Sequence, residues 1–191
     1  MITLFHGSNT KGIKILEPRV ADHDKAYIYL TVNEVVAAFY LCNAVERPFY
    51  WFPYGFAKDG KTPIYHELYE NALQEVSDGV TGCIYQVLAE EKQVLPFKNI
   101  PCARLGIEPL HIIDCIEVHN AYKLFQKYIK QGKMFVGTYK EKSEKEMTIW
   151  YEMIFDYLKE KEMITMPECS YAKFVKDKFP SIWKKYENSC D

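Results

Sequence analysis

The sequence predicts an α+β domain, rich in short strands up to residue 118 and helical toward its C-terminal end. Three observations predict it. Apolar runs at Ile2–Phe5, Ala26–Thr31, Cys83–Leu88 and Leu110–Val118 are bounded by Gly, Pro or polar residues, as short strands are. From Ser143 onward the apolar positions recur at helical spacing instead. The 191 residues are 48% hydrophobic and 26% charged, which supplies one core and lies outside the composition of disordered chains.

Charge and cysteine usage narrow the function. Lys plus Arg is 24 and Asp plus Glu 26, a net charge of −2, which argues against bulk binding of nucleic-acid phosphates. Only Arg19, Arg47 and Arg104 are arginines, so bidentate phosphate clamps are scarce. Cys42, Cys83, Cys102, Cys115, Cys169 and Cys190 form no C-x-x-C pair, and no Cys or His pair has zinc-ligand spacing. Met1 leads directly into a strand with no secretory signal, so reduced cysteines and a cytoplasmic setting are expected. No apolar run has the length of a membrane span. Aromatics reach 15%, with Tyr the commonest, which suits stacking on flat ligands and equally suits filling a core and its rim.

The first strand, Ile2 to Phe5, ends in His6-Gly7-Ser8, where Gly7 allows a turn or the close approach of a ligand. Residues 9–25 read as loop, with a short helical or extended piece at Gly12–Leu16 ending before Pro18. The strand Ala26–Thr31 runs into a helix Glu34–Leu41, with Thr31 and Asn33 as N-cap candidates. Phe49, Tyr50, Trp51, Phe52, Tyr54 and Phe56 form an aromatic cluster broken by Pro48, Pro53 and Gly55, read as core or as a lid. Asp59-Gly60 reads as a hairpin turn. Pro63–Leu73 reads as a short helix with Ile64, Leu68 and Ala72 on one face and His66 on its surface.

The strand Cys83–Leu88 is followed by a hairpin turn at Glu90-Glu91 and a short strand at Gln93–Phe97. After the strand Leu110–Val118 comes a helix from Asn120 to Lys130, closed by Gly132, with Ala121, Leu124, Phe125 and Tyr128 on its apolar face. Residues 133–142 read as a link. Ser143 and Glu146 have the spacing of a capping box. Ile149, Trp150, Met153, Ile154, Tyr157 and Leu158 then form an apolar stripe. A second helical region follows Pro167 and is interrupted at Pro180. The division is therefore a domain at 1–132 and a helical extension at 133–191 packed on it.

His6-Gly7-Ser8, Tyr29 and Tyr40 together resemble the nucleotide-binding half of the ADP-ribosyltransferase fold. The matching branch includes diphtheria toxin and the poly(ADP-ribose) polymerases. It has His-Gly-Ser or His-Gly-Thr at the end of its first strand, a Tyr in a later strand and a second aromatic about three helical turns on. The resemblance covers roughly the first 45 residues well and the next 80 loosely. It implies a split, mainly antiparallel sheet and NAD as substrate. His6 is then expected to bond the adenosine-side ribose, Gly7 to hold the carboxamide through its backbone, and Tyr29 and Tyr40 to sandwich the nicotinamide ring. Stacking of that kind contributes on the order of 1 kcal/mol per ring beyond area burial. The loop residues Arg19, His23 and Asp24 become candidates for cofactor contact.

Two positions depart from the family pattern. Ala37 stands where the family often has a Ser that contacts the carboxamide, a loss of roughly 1 kcal/mol unless Ser8 substitutes. The family carboxylate, which steadies the oxocarbenium-like transition state, opens one of the last strands. Glu108 stands in that place, followed unusually by Pro109, with Glu117 in reserve. Glu144-Lys145-Glu146 has the Glu-x-Glu form of the arginine-directed branch but lacks the accompanying Ser-Thr-Ser strand, and reads as helix capping.

The expected activity is NAD-dependent transfer of ADP-ribose to a protein or nucleic-acid acceptor, with His6, Tyr29 and Glu108 in the catalytic roles. The rival reading is a binding module that keeps the fold without the chemistry. An RNA 2′-phosphotransferase of the same fold is a third, disfavoured by the scarcity of arginine. No metal and no membrane association are expected.

Overall fold

The sheet grows outward from β1 (Ile2–Ser8), whose full length pairs with β7 (Gly82–Ala89), from Ile2–Ala89 to Ser8–Cys83. The computed structural model describes residues 1–20, 25–42, 53–97 and 100–190. On its far side β7 pairs with β10 (Leu110–Val118), which carries β2 (Ile15–Leu16) at the edge. On the other side β1 meets β4 (Ala26–Thr31), followed by β9 (Ala103–Gly106) and β8 (Val94–Pro96). The short β3 (Arg19–Val20) also pairs with β4. All of these ladders are antiparallel.

One buried cluster unites Leu16 at one edge with Val94 at the other, through Leu4, Ile28, Val87 and Leu110. The sheet therefore curls around its own apolar face, since a flat sheet keeps its edges apart. The opposite face is covered by α1 (Glu34–Cys42), α2 (Ala72–Ser77) and α3 (Ala121–Lys130), which share a second core with Ile84 and Val118. The α+β class, the mainly antiparallel sheet and the C-terminal helices agree with the sequence reading.

A second sheet corrects two expectations, and the main sheet a third. Residues Pro63–His66 form β6, not the start of a helix, and only Ala72–Ser77 is helical. β6 pairs antiparallel with β5 (Tyr54–Phe56) across the Asp59-Gly60 turn and parallel with β11 (Phe135–Gly137). The helical spacing of Ile64, Leu68 and Ala72 gives way to a period of two, with Pro63 and Tyr65 buried and Ile64 and His66 less so. Pro63 is tolerated as the first residue of the strand. β11 falls within the expected link and ties the segment after residue 132 into this sheet. Glu90 and Glu91 are also not in a hairpin. β7 and β8 have different partners, and a turn of 3-10 helix at Glu91–Gln93 starts a crossover between them.

The C-terminal helices are α4 (Glu144–Glu160), α5 (Ser170–Lys178) and α6 (Pro180–Glu187). The capping box is formed: Ser143 Oγ accepts from Glu146 N, and Glu146 Oε2 accepts from Ser143 N at 2.9 Å. These helices bury Ile154, Leu158, Val175, Trp183 and Tyr186 in a core of their own, joined by Leu68. The buried stripe of α4 is narrower than expected. Ile149 and Met153 are exposed, because at about 100° per residue they fall on the side away from Met147, Ile154 and Leu158.

Candidate functional site

The helix that follows β4 is set by Asn33, whose Oδ1 accepts from Val35 N at 2.9 Å and Val36 N at 3.3 Å. Thr31 supports the turn by accepting from Asn33 N. α1 then passes so close to β1 that a Cβ on Gly7 would lie 1.9 Å from Ala37 O and 3.4 Å from Tyr40 Cβ. Glycine at position 7 is thus required by backbone packing, and that packing carries Tyr40 to the end of β1. Ala37 is fully buried at this contact.

β1 and β4 are joined through one residue pair, Phe5 with Thr31. Continuation of that register would set Gly7 opposite Tyr29, but the ladder ends. Instead His6 Nδ1 lies 2.8 Å from Tyr29 O. A carbonyl only accepts, so Nδ1 carries the proton and donates it. In the neutral ring Nε2 is then left as an acceptor. Burial holds the His6 pKa below its ordinary value, and the nearby Arg19 guanidinium lowers it further against the opposing bond to Tyr29. The ring is therefore kept neutral where the two strands part.

Tyr40 is 39% exposed, and its hydroxyl is hydrogen-bonded to that of Tyr54, which donates. Tyr54 belongs to β5, and its ring packs 5.1 Å from Phe39. Burial pushes both phenol pKa values up. Cys102, just before β9, completes the group. Its thiol is hydrogen-bonded to the Thr31 side chain and its carbonyl accepts from Val32 N at 2.9 Å. Burial raises the thiol pKa, with Thr31 and Arg104 opposing.

Tyr54 and Cys102 escaped the sequence reading as members of this site. In the sequence Tyr54 belongs to the aromatic cluster, and Cys102 belongs to no motif. Their place follows from β5 packing on α1 and from β9 pairing with β4.

His6, Gly7, Tyr29 and Tyr40 are brought together. Ser8 lies on the His6 face, two residues along β1, with its hydroxyl accepting from Thr10 N. Arg19 acts on His6 from β3. His23, Asp24, Arg47 and Phe49–Phe52 lie outside the described residues.

Glu108 is not brought to this group. It is exposed, in the connection from β9 to β10, and accepts from Gln93 Nε2 at 3.4 Å beside Lys92. The strand it leads into pairs with β7 and β2, so β7 and β1 intervene between that strand and Tyr29. Glu117 stands differently. It is opposite Cys83, which is opposite Ser8, and directly opposed residues share a face. Glu117 therefore projects from the His6 face, two strands or about 10 Å away. Lys11 holds it in an exposed ion pair and draws its pKa down.

His66, expected on a helix surface, lies in β6 with Nδ1 3.4 Å from Lys142 Nζ, away from the His6 group. Among the described residues no cluster of three His, Cys, Asp or Glu side chains is arranged to hold a metal ion. No helix there is long and apolar enough to cross a membrane. Compared with models of protein families, with curated proteins and with solved structures, the chain matches none.

Proposed function

We propose that this chain binds NAD where β1 and β4 part and transfers its ADP-ribose to a macromolecular acceptor, on an ADP-ribosyltransferase-type fold. The observation that carries the reading is the His6 bridge to Tyr29 across strands that separate after one residue pair. It leaves a neutral imidazole with Nε2 free to accept from a ribose hydroxyl. Tyr40 stands over Gly7 at the end of β1 and Tyr29 is the residue whose carbonyl His6 holds, and their rings would take the faces of nicotinamide. Leaving of neutral nicotinamide breaks the bond to ribose C1′. The acceptor forms a new bond at C1′ and releases its proton to solvent. His6 and the two tyrosines bind and orient throughout this step, and a carboxylate serves the positive charge that develops on the ribose. Glu117 shares the His6 face and is the better situated of the two candidates, provided Lys11 yields it.

A second reading, NAD binding without transfer, is favoured by the exposed position of Glu108 and by a thiol, Cys102, beside the tyrosines. A 2′-phosphotransferase is disfavoured further, because Arg104 spends its guanidinium on the carbonyls of Pro101 and Ala103.

The test is calorimetric titration of NAD into the purified chain, with nicotinamide release followed in the same samples and His6→Ala as control. Binding and release that His6→Ala removes are expected. Binding without release supports the second reading, and absence of binding at millimolar NAD overturns both.

A further inference from the structure

We infer that the groove between α2 and α3 is a docking site for an acidic, extended peptide segment of a partner protein. The groove is open to solvent and offers about 700 Å³, within the range of roughly 300–1,000 Å³ that receives small ligands. Lys123, Lys127 and Lys130 line it. Their i, i+4, i+7 spacing makes one stripe roughly 10 Å long. The opposite side of α3 is committed to the core through Ala121, Phe125 and Tyr128. Among the described residues no carboxylate lies within ion-pair distance of any of the three lysines. Among the described residues the one acid lining the groove, Asp78, accepts from Asn120 Nδ2 at 2.7 Å. Unbalanced positive charge is thus gathered at one place on a chain whose net charge is −2.

The remaining lining selects peptide over nucleic acid. Gln74 and Gln126 each offer a donor and an acceptor, which matches the peptide group. Among the described residues no arginine lines the groove to fork onto a phosphate, and Tyr122 is half-buried, so no open ring awaits a base. An extended peptide repeats its side chains on one side every 7 Å or so, close to the roughly 6 Å rise from Lys123 to Lys127. This inference stands apart from the nucleotide reading, since His6, Gly7, Tyr29 and Tyr40 are not among the residues that line the groove.

The test is fluorescence anisotropy of the full chain with labelled hexaglutamate at low salt. Hexaglutamine and a six-nucleotide single strand serve as comparison probes. Hexaglutamate is expected to bind about tenfold or more tighter than either comparison probe. The triple variant Lys123→Gln, Lys127→Gln, Lys130→Gln is expected to lose about tenfold, and a control triple at Lys58, Lys145 and Lys184 less than about twofold. Equal loss in both triples, equal binding of hexaglutamine, or tighter binding of the oligonucleotide would overturn the inference.

Discussion

Replacing Gly7 by alanine adds one methyl group at the tightest contact between β1 and α1. The new Cβ would stand 1.9 Å from Ala37 O and 2.9 Å from Ala37 C. Ordinary contact begins near 3.4 Å, so the strand and helix must separate by about 1.5 Å locally. Both obstructing atoms are backbone, so no rotamer change relieves them. α1 cannot move alone, because Val35, Val36, Ala37, Ala38, Phe39, Leu41 and Cys42 are all buried. Overpacking of a core typically costs about 1–3 kcal/mol, and a backbone clash with so little give belongs at or above the top of that range. A loss of about 3 kcal/mol lowers the melting temperature by about 6–12 °C for a chain of this size. Urea unfolding of Gly7→Ala beside Gly12→Ala measures it. Gly12 has φ +75° and nothing within 4 Å of an added Cβ, so its cost is only the left-handed strain of about 1–2 kcal/mol. A Gly7→Ala loss below that of Gly12→Ala would refute the packing argument and return Gly7 to a role in ligand contact alone.

Two further outcomes follow from the same geometry. The fold holds His6 neutral by lowering its pKa, so in the window below 6.5 the unfolded chain takes up a proton that the folded chain refuses. Stability is then full above that window and falls as pH drops through it. His6→Asn, which keeps a side-chain donor without a titrating ring, should flatten the decline between pH 7 and pH 5 in urea unfolding. An unchanged slope would refute the assignment to His6 and make His66, shifted in the same direction, the next residue to replace. Tyr128 donates to the Glu34 carboxylate from a buried site. Tyr128→Phe should cost about 1.5–3 kcal/mol in the wild-type background and distinctly less beside Glu34→Gln, as read from a double-mutant cycle.

What was legible in the sequence was local. The capping box at Ser143, the cap at Asn33, the turn at Asp59-Gly60 and the strand ending in His6-Gly7-Ser8 are written in neighbouring residues, and neighbouring residues form them. What was missed depended on distant partners. β6 pairs with β11 some seventy residues later, and nothing within Pro63–His66 announces that partner, so a weak helical spacing prevailed. Glu90-Glu91 has the composition of a hairpin turn, but strand order decides otherwise. Cys102 joins the site because the strand it precedes lies beside β4, which its own sequence does not record.

The same dependence on strand order bears on the chemistry open to this cleft. Glu108 precedes β10 in sequence, yet it stays at the β8 end with Gln93 and Lys92. Glu117 reaches the His6 face from the other direction, across β7. Its pair with Lys11 is exposed and screened by water, so exchange of Lys11 for a developing positive charge on ribose costs little. Position is the stronger constraint. Tyr40 and Tyr54 meet Cys102 on the β9 side of the opening, and among the described residues no carboxylate acts on those three. A nicotinamide held by Tyr40 therefore lies on the side away from Glu117, with β1 between them. Transfer through Glu117 requires the ribose to extend back over His6 toward β7. If it does, Glu117→Gln should abolish nicotinamide release while leaving NAD affinity within about twofold, the signature of a group that acts only in the transition state.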